Sequence, residues 1–220
     1  MAEPRTRALL ICGAIAGPLF LAAVALEGAT RADYDPVRHP ISSLALGPYG
    51  WTQTATFLVS GILSLAYAVG LRAALTPGRG RLWAPILVAA WGIGLVGSGV
   101  FVTDPVSGYP PGTPGKPAGP TTTGTLHDLF ALPVFLGFPV LCLVILARFL
   151  GERRLGWAVY TLLTAAGFTA CFVLASMGFE QDPGLIEIAG LLQRITIAIA
   201  WLWLTLLAVH LLRSGRTDSR

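Results

Sequence analysis

Six stretches of this chain run almost without charge, at 8–26, 51–71, 82–103, 126–147, 156–177 and 188–212, and nothing else constrains its fold so tightly. A helix needs roughly 20 apolar residues to cross a hydrocarbon core about 30 Å thick. Each stretch is close to or above that length, and together they use most of the 220 residues. No soluble domain of useful size is left over. Only 12% of the residues are charged, against roughly 25% in an ordinary soluble domain. The expectation is an all-α, polytopic membrane protein in which residues 1–220 form one domain of six transmembrane helices.

The net charge of +4 invites a nucleic-acid reading, but the placement of the charges rejects it. Arg5 and Arg7 precede the first stretch, and Arg72, Arg79 and Arg81 separate the second from the third. Arg148, Arg153 and Arg154 separate the fourth from the fifth, while Arg213, Arg216 and Arg220 follow the sixth. Arg31, Arg38 and Lys116 lie on the other side, and Arg194 lies inside the last stretch. Because basic residues collect on the cytoplasmic side, both termini are expected in the cytoplasm of a multi-pass plasma-membrane protein. Such arginines orient the chain and can touch anionic lipid heads; no nucleic-acid partner is expected. Eight of the eleven carboxylates fall on the outer side: Glu27, Asp33, Asp35, Asp104, Asp128, Glu180, Asp182 and Glu187. Two of the three histidines, His39 and His127, join them there. That rim is where chemistry is to be sought.

Several patterns read as packing. Cys12, Cys142 and Cys171 lie inside spans without a C-x-x-C pair, so they read as small buried apolar groups rather than a disulfide framework or zinc ribbon. Ala23-Val24-Ala25 resembles a signal-peptide cleavage site, but the preceding apolar run exceeds the usual roughly 7–15 residues, so an uncleaved first span is expected. Ala90, Gly94 and Ser98, and likewise Thr52, Thr56, Ser60 and Ser64, form small-residue stripes that let helices approach closely. The run from Gly92 to Gly97 matches G-x-G-x-x-G, but no strand precedes it and it sits mid-membrane, so the nucleotide reading is discarded. Pro18, Pro133 and Pro139 are expected to kink spans one and four. Arginine far outnumbers lysine and asparagine is absent, which suggests a GC-rich bacterial genome.

Loop 28–50 is long and polar with aromatics, and loop 178–187 is tight. Loop 104–125 carries Pro105, Pro110, Pro111, Pro114, Pro117 and Pro120 and is expected to be an extended, mobile strap. Asp35-Pro36, Asp104-Pro105 and Asp182-Pro183 each follow an odd-numbered span. Proline ending a helix accounts for that echo, as would an ancestral hairpin repeat.

The candidate site is a set of polar residues at the outer helix ends. Glu27 ends span one and Asp104 span three; His127 and Asp128 begin span four. Glu180 and Gln181 follow span five, Glu187 opens span six, and Gln193 and Arg194 lie about two turns into it. A guanidinium at that depth pairs with an acid or faces a wet cavity. Asp104, Asp128, Glu180 and Glu187 are the expected partners of Arg194. In loop one, Asp35, Arg38, His39 and Ser42 cluster within a few positions. His39 is a candidate general base; equally, Pro36 and Pro40 shape a turn there while Asp35 and Ser42 cap short helices. His39, His127 and one carboxylate could make an open three-ligand metal site, although no ligand spacing supports it. No cofactor is indicated.

The segment Asp35-Pro36-x-Arg38-His39-Pro40-Ile41-Ser42-x-Leu44-Ala45, then Gly50-Trp51, Phe57, Thr103-Asp104-Pro105 and His127, resembles a bacterial and archaeal family of six-span membrane proteins, domain of unknown function 998. The resemblance covers nearly the whole chain and implies six helices with an outward polar cluster. It implies no activity. Ser43 stands where the family often carries an acid.

Three functions follow as expectations. The first is an intramembrane protein that binds a membrane lipid or another apolar small molecule in an outer pocket. Acid–base or metal-assisted chemistry there would use His39, Asp104, His127, Asp128 and Glu180, with Asp35, Arg38, Ser42, Glu187, Gln193 and Arg194 holding the ligand. The second is a small transporter or ion-coupled permease, for which a homo-oligomer would supply the missing spans. The third is a structural or accessory membrane protein whose polar cluster is a packing network.

Overall fold

Each apolar run becomes helix in the computed structural model, which describes residues 3–116 and 118–217, with side chains to 214. Pro117, Arg220 and the side chain of Arg216 lie outside the described residues. The helices are α1 (Pro4–Thr30), α2 (Gly50–Ala74), α3 (Trp83–Val100), α4 (Thr122–Phe135), α5 (Gly137–Gly151), α6 (Leu155–Phe179) and α7 (Ala189–Thr217). Short 3-10 helices at Ile41–Ala45 and Ile186–Ile188 precede α2 and α7. Six segments are long and apolar enough to cross a membrane, with α4 and α5 together forming the fourth, Thr122–Gly151. The protein is all-α, with six potential spans.

Helix α1 continues through Pro18 as one element, whereas span four breaks at Leu136 between α4 and α5. Pro139 has no N–H to give the Phe135 carbonyl, and its ring crowds that carbonyl, so the helix stops there and restarts. Span three ends at Val100, earlier than the run to 103, because Phe101 turns extended (φ −100°, ψ 116°).

Neighbouring helices close a ring. Helix α1 packs between α2 and α7, α3 packs on α2, α4 and α5, and α6 joins α5 to α7. Aromatic rings fill the middle: Trp91 meets Trp201 edge to face at 5.3 Å, and Phe138 lies 5.7 Å from Trp91 and 5.6 Å from Trp203. Such pairs add roughly 0.5–1.5 kcal/mol each beyond burial. Large apolar side chains such as Ile62, Ile93, Leu143 and Leu163 cover the outside of the ring. That surface suits lipid, not water.

The glycines of the discarded nucleotide pattern serve two neighbours. A Cβ on Gly92 would lie 2.9 Å from the Gly61 carbonyl of α2. One on Gly94 would lie 2.6 Å from the Phe130 carbonyl of α4, and one on Gly97 only 2.1 Å from the Phe130 ring. Overpacking such a contact costs about 1–3 kcal/mol. Gly97→Val should therefore lower the melting temperature of purified protein. Gly156→Ala, where a Cβ meets no atom within 4 Å, should leave it unchanged. Equal melting of the two variants would show that the α3–α4 approach is not a tight one.

Candidate functional site

The end of the helix ring opposite the arginine-rich connections is built around loop one, and the first two turns of α7 hold that loop. Gly190 leaves room for it, since a Cβ there would lie 2.5 Å from the His39 carbonyl. Leu191 donates its N–H to the Val37 carbonyl (2.8 Å), which satisfies a helix-start donor with no partner inside the helix. Gln193 Oε1 accepts the Ile41 N–H at 2.7 Å. Arg194 donates to the carbonyls of His39 (2.9 Å) and Gly190 (3.1 Å) and to the Tyr34 hydroxyl, and lies over the Tyr34 ring. The expected acidic partner is absent: among the described residues Arg194 makes no ion pair with Asp104, Asp128, Glu180 or Glu187. Carbonyl dipoles and an aromatic face stand in for it.

At the other end of the loop, Arg31 donates to the carbonyls of Leu44 (2.9 Å), Leu46 (3.2 Å) and Tyr49 (3.0 Å). Its neighbour Glu27 accepts from the hydroxyls of Thr52 (2.8 Å) and Thr56 (3.0 Å) on α2. So Glu27 joins α1 to α2 and does not face a cavity. Asp35 accepts the Val37 N–H at 2.8 Å and caps a turn. Ser42 lies inside the 3-10 helix and caps nothing.

Loop two is folded against loop one, not extended. Ser107 donates its N–H to the Gly115 carbonyl (2.7 Å), closing a compact turn, and Tyr109 is buried. The Tyr109 ring packs at 5.2 Å from both Tyr34 and His39. His39 Nδ1 accepts the Asp35 N–H at 2.9 Å. Burial pushes the Tyr34 hydroxyl up to about 12, against the pull of Arg194. Asp104 accepts both the N–H (2.8 Å) and the hydroxyl (2.6 Å) of Thr121 and lies on Gly124, at the positive end of α4. Lys116 pairs with Glu180, and Arg38 pairs with Glu187 at 3.1 Å, both on the surface.

Between α4, α6 and α7 a cleft of about 410 Å³ opens outward. It shares Ser42, His127, Ala131, Phe135 and Gln193 with a small apolar space of about 50 Å³ that Phe20, Trp91 and Trp201 also line. Sideways it meets a gap of about 220 Å³ between α4 and α6, walled by Leu132, Phe135, Phe172 and Phe179. Ala131, Phe135 and Gln193 line all three spaces. His127, 5% exposed, stands where the outer and inner spaces meet, its Nδ1 at 3.1 Å from the Ser98 carbonyl and 2.9 Å from that of Phe101.

The cleft brings together Ser42, Asp104, His127, Asp128, Glu180 and Gln193. Asp35, Arg38, His39, Glu187 and Arg194 stand outside it, in loop one and its clamp. Among the described residues no three His, Cys, Asp or Glu side chains gather to hold a metal, so the His39–His127–carboxylate set does not form. A second cavity, about 470 Å³, opens at the opposite end, but Arg148, Glu152 and Arg154 there pair with one another at 2.8 and 3.2 Å. Ala131, Phe135, Phe172, Ser176 and Trp201 are cleft residues that charge placement does not reveal. Helical spacing does: His127, Ala131 and Phe135, and also Gln193, Ile197 and Trp201, recur every four residues on one face.

Burial holds the pKa of His39 below the usual 6.5; the Asp35 carboxylate opposes the shift and Arg38 adds to it. The unfolded chain then binds more protons than the folded one. The stability that His39 contributes is present above 6.5 and is lost as the pH falls through that value toward the folded one. The melting temperature should drop between about pH 7.5 and about pH 5.5, and His39→Asn should flatten the drop. An unchanged slope in the variant would show that loop one does not respond to pH through His39.

A family model described as protein of unknown function (DUF998) matches residues 14–210, nearly the whole set of helices described above. No curated protein and no solved structure matches the chain. Its six apolar helices and this match place the chain in the DUF998 family, as a multi-pass membrane protein.

Proposed function

We propose that the outer cleft takes up an amphipathic or apolar molecule from the bilayer and holds it between α4, α6 and α7. The observation that carries this reading is the joining of three spaces at Ala131 and Gln193: a polar outer mouth, an aromatic floor and a sideways gap toward lipid. The gap exists because α6 packs on α5 and α7, leaving α4 to lean on α3. A tail can leave through apolar walls while a head stays among polar groups, the pattern of small-molecule sites in general. Holding is favoured over reacting. Asp104 has both carboxylate oxygens engaged by Thr121, and His39 is occupied within the loops. His127 and Asp128 are the titratable side chains left for any acid–base step in the cleft. In this reading the cleft faces away from the cytoplasm, because the connections carrying Arg72, Arg79, Arg81, Arg148, Arg153 and Arg154 lie at the opposite end.

Ala131→Trp fills the junction of the three spaces. The variant should fold and lose the lipid or apolar molecule that copurifies with the wild type, as read by native mass spectrometry in a mild detergent. Equal cargo in both proteins would refute the reading. For orientation, an impermeant maleimide should label Asp33→Cys on intact cells and should not label Arg81→Cys; the reverse pattern would invert the proposed topology.

A further inference from the structure

The polar groups at the junction specify the head of the occupant. Building on the cleft as a binding site, we propose that its ligand is a neutral amphiphile headed by a hydroxyl group.

His127 supplies the first part of the argument. Its Nδ1 lies within hydrogen-bond reach of two backbone carbonyls, those of Ser98 and Phe101, which can only accept. Nδ1 therefore carries the proton, and in the neutral ring Nε2 is a bare acceptor toward the cleft that the side chain lines. Gln193 supplies the second part. Its Oε1 is taken by the Ile41 N–H, which fixes the amide orientation and leaves the NH2 group, two donors, on the cleft side. An acceptor from α4 and a donor from α7 are both satisfied by a group that donates and accepts at once. A hydroxyl does so. An ether or ketone oxygen leaves Nε2 unpaired, and an ammonium leaves the amide unpaired. The Ser42 hydroxyl, on the same wall as loop one, can take either role.

Charge disposes of the acidic heads. Asp104, Asp128 and Glu180 stand on the rim against Lys116 alone, and Lys116 is already bound to Glu180. A phosphate monoester would add charge beside the Asp104 and Asp128 carboxylates, with no free cation among the residues that line the cleft to answer it. A hydroxyl placed between His127 and Gln193 sends its tail past Ala131 to Phe135 and Phe172, the sideways gap.

The test uses full-length protein in detergent and equilibrium binding of tritiated hexadecanol, with hexadecyl methyl ether and hexadecyl phosphate as competitors. The alcohol should bind about tenfold more tightly than either competitor. Gln193→Leu should weaken it by roughly 3–10-fold, the worth of one hydrogen bond. His127→Phe should weaken the alcohol similarly and leave the ether, which needs no acceptor, unchanged; if that variant does not fold, the alcohol-to-phosphate ratio in Gln193→Leu decides. Equal affinity for all three amphiphiles, each abolished by Ala131→Trp, overturns the hydroxyl head and leaves the cleft as a binding site. Absence of saturable binding, or binding indifferent to Ala131→Trp, overturns both.

Discussion

The seating of loop one on the start of α7 is the contact on which this half of the protein depends. A charged guanidinium near lipid is costly unless its donors are satisfied. Arg194 satisfies them with the carbonyls of His39 and Gly190 and the Tyr34 hydroxyl. That fixes the backbone through residues 36–41, and everything above it follows. The rings of Tyr34 and His39, tilted 52° to each other, form an aromatic notch that takes the Tyr109 ring, and loop two is drawn in over the top. Ser42 and Pro40 then become one wall of the cleft.

The division between binding groups and scaffold runs through the polar cluster itself. Glu27, Arg31, Asp35, His39 and Arg194 hold backbone or hydroxyls. His127 and Gln193 each use one polar atom on the scaffold while their side chains line the cavity. Groups of that kind are well suited to recognition, because their orientation is set before any ligand arrives.

Much of the fold was legible in the sequence because it rests on local rules. Run length gave the spans, the stripe through Gly94 gave one close helix face, and of the three prolines expected to bend helices Pro139 alone sits at a break. The glycines from Gly92 to Gly97 could be dismissed as a nucleotide motif, yet their alternation between two neighbouring helices depends on which helices those are. Loop two was misjudged for the same reason. Its proline content argues for an extended strap, but the burial of Ser107 and Tyr109 comes from rings and backbone seventy residues away in sequence, roughly. Arg194 was given the wrong kind of partner and stands outside the cleft, in the clamp on loop one. Side-chain charge can be read from a sequence, whereas a carbonyl offered by a distant turn cannot. Of the site, the polar mouth was visible through charge placement; the apolar walls needed the helical period counted outward from His127 and Gln193.

The interruption at Leu136 separates two jobs within one span. Below it, α5 is wedged between α3 and α6; above it, α4 leans mainly on α3. The width of the gap toward lipid is thus governed by how deeply Phe130 sinks between Gly94 and Gly97. Exchanges at this one seam would change the girth of that gap and leave the rest of the ring of helices untouched.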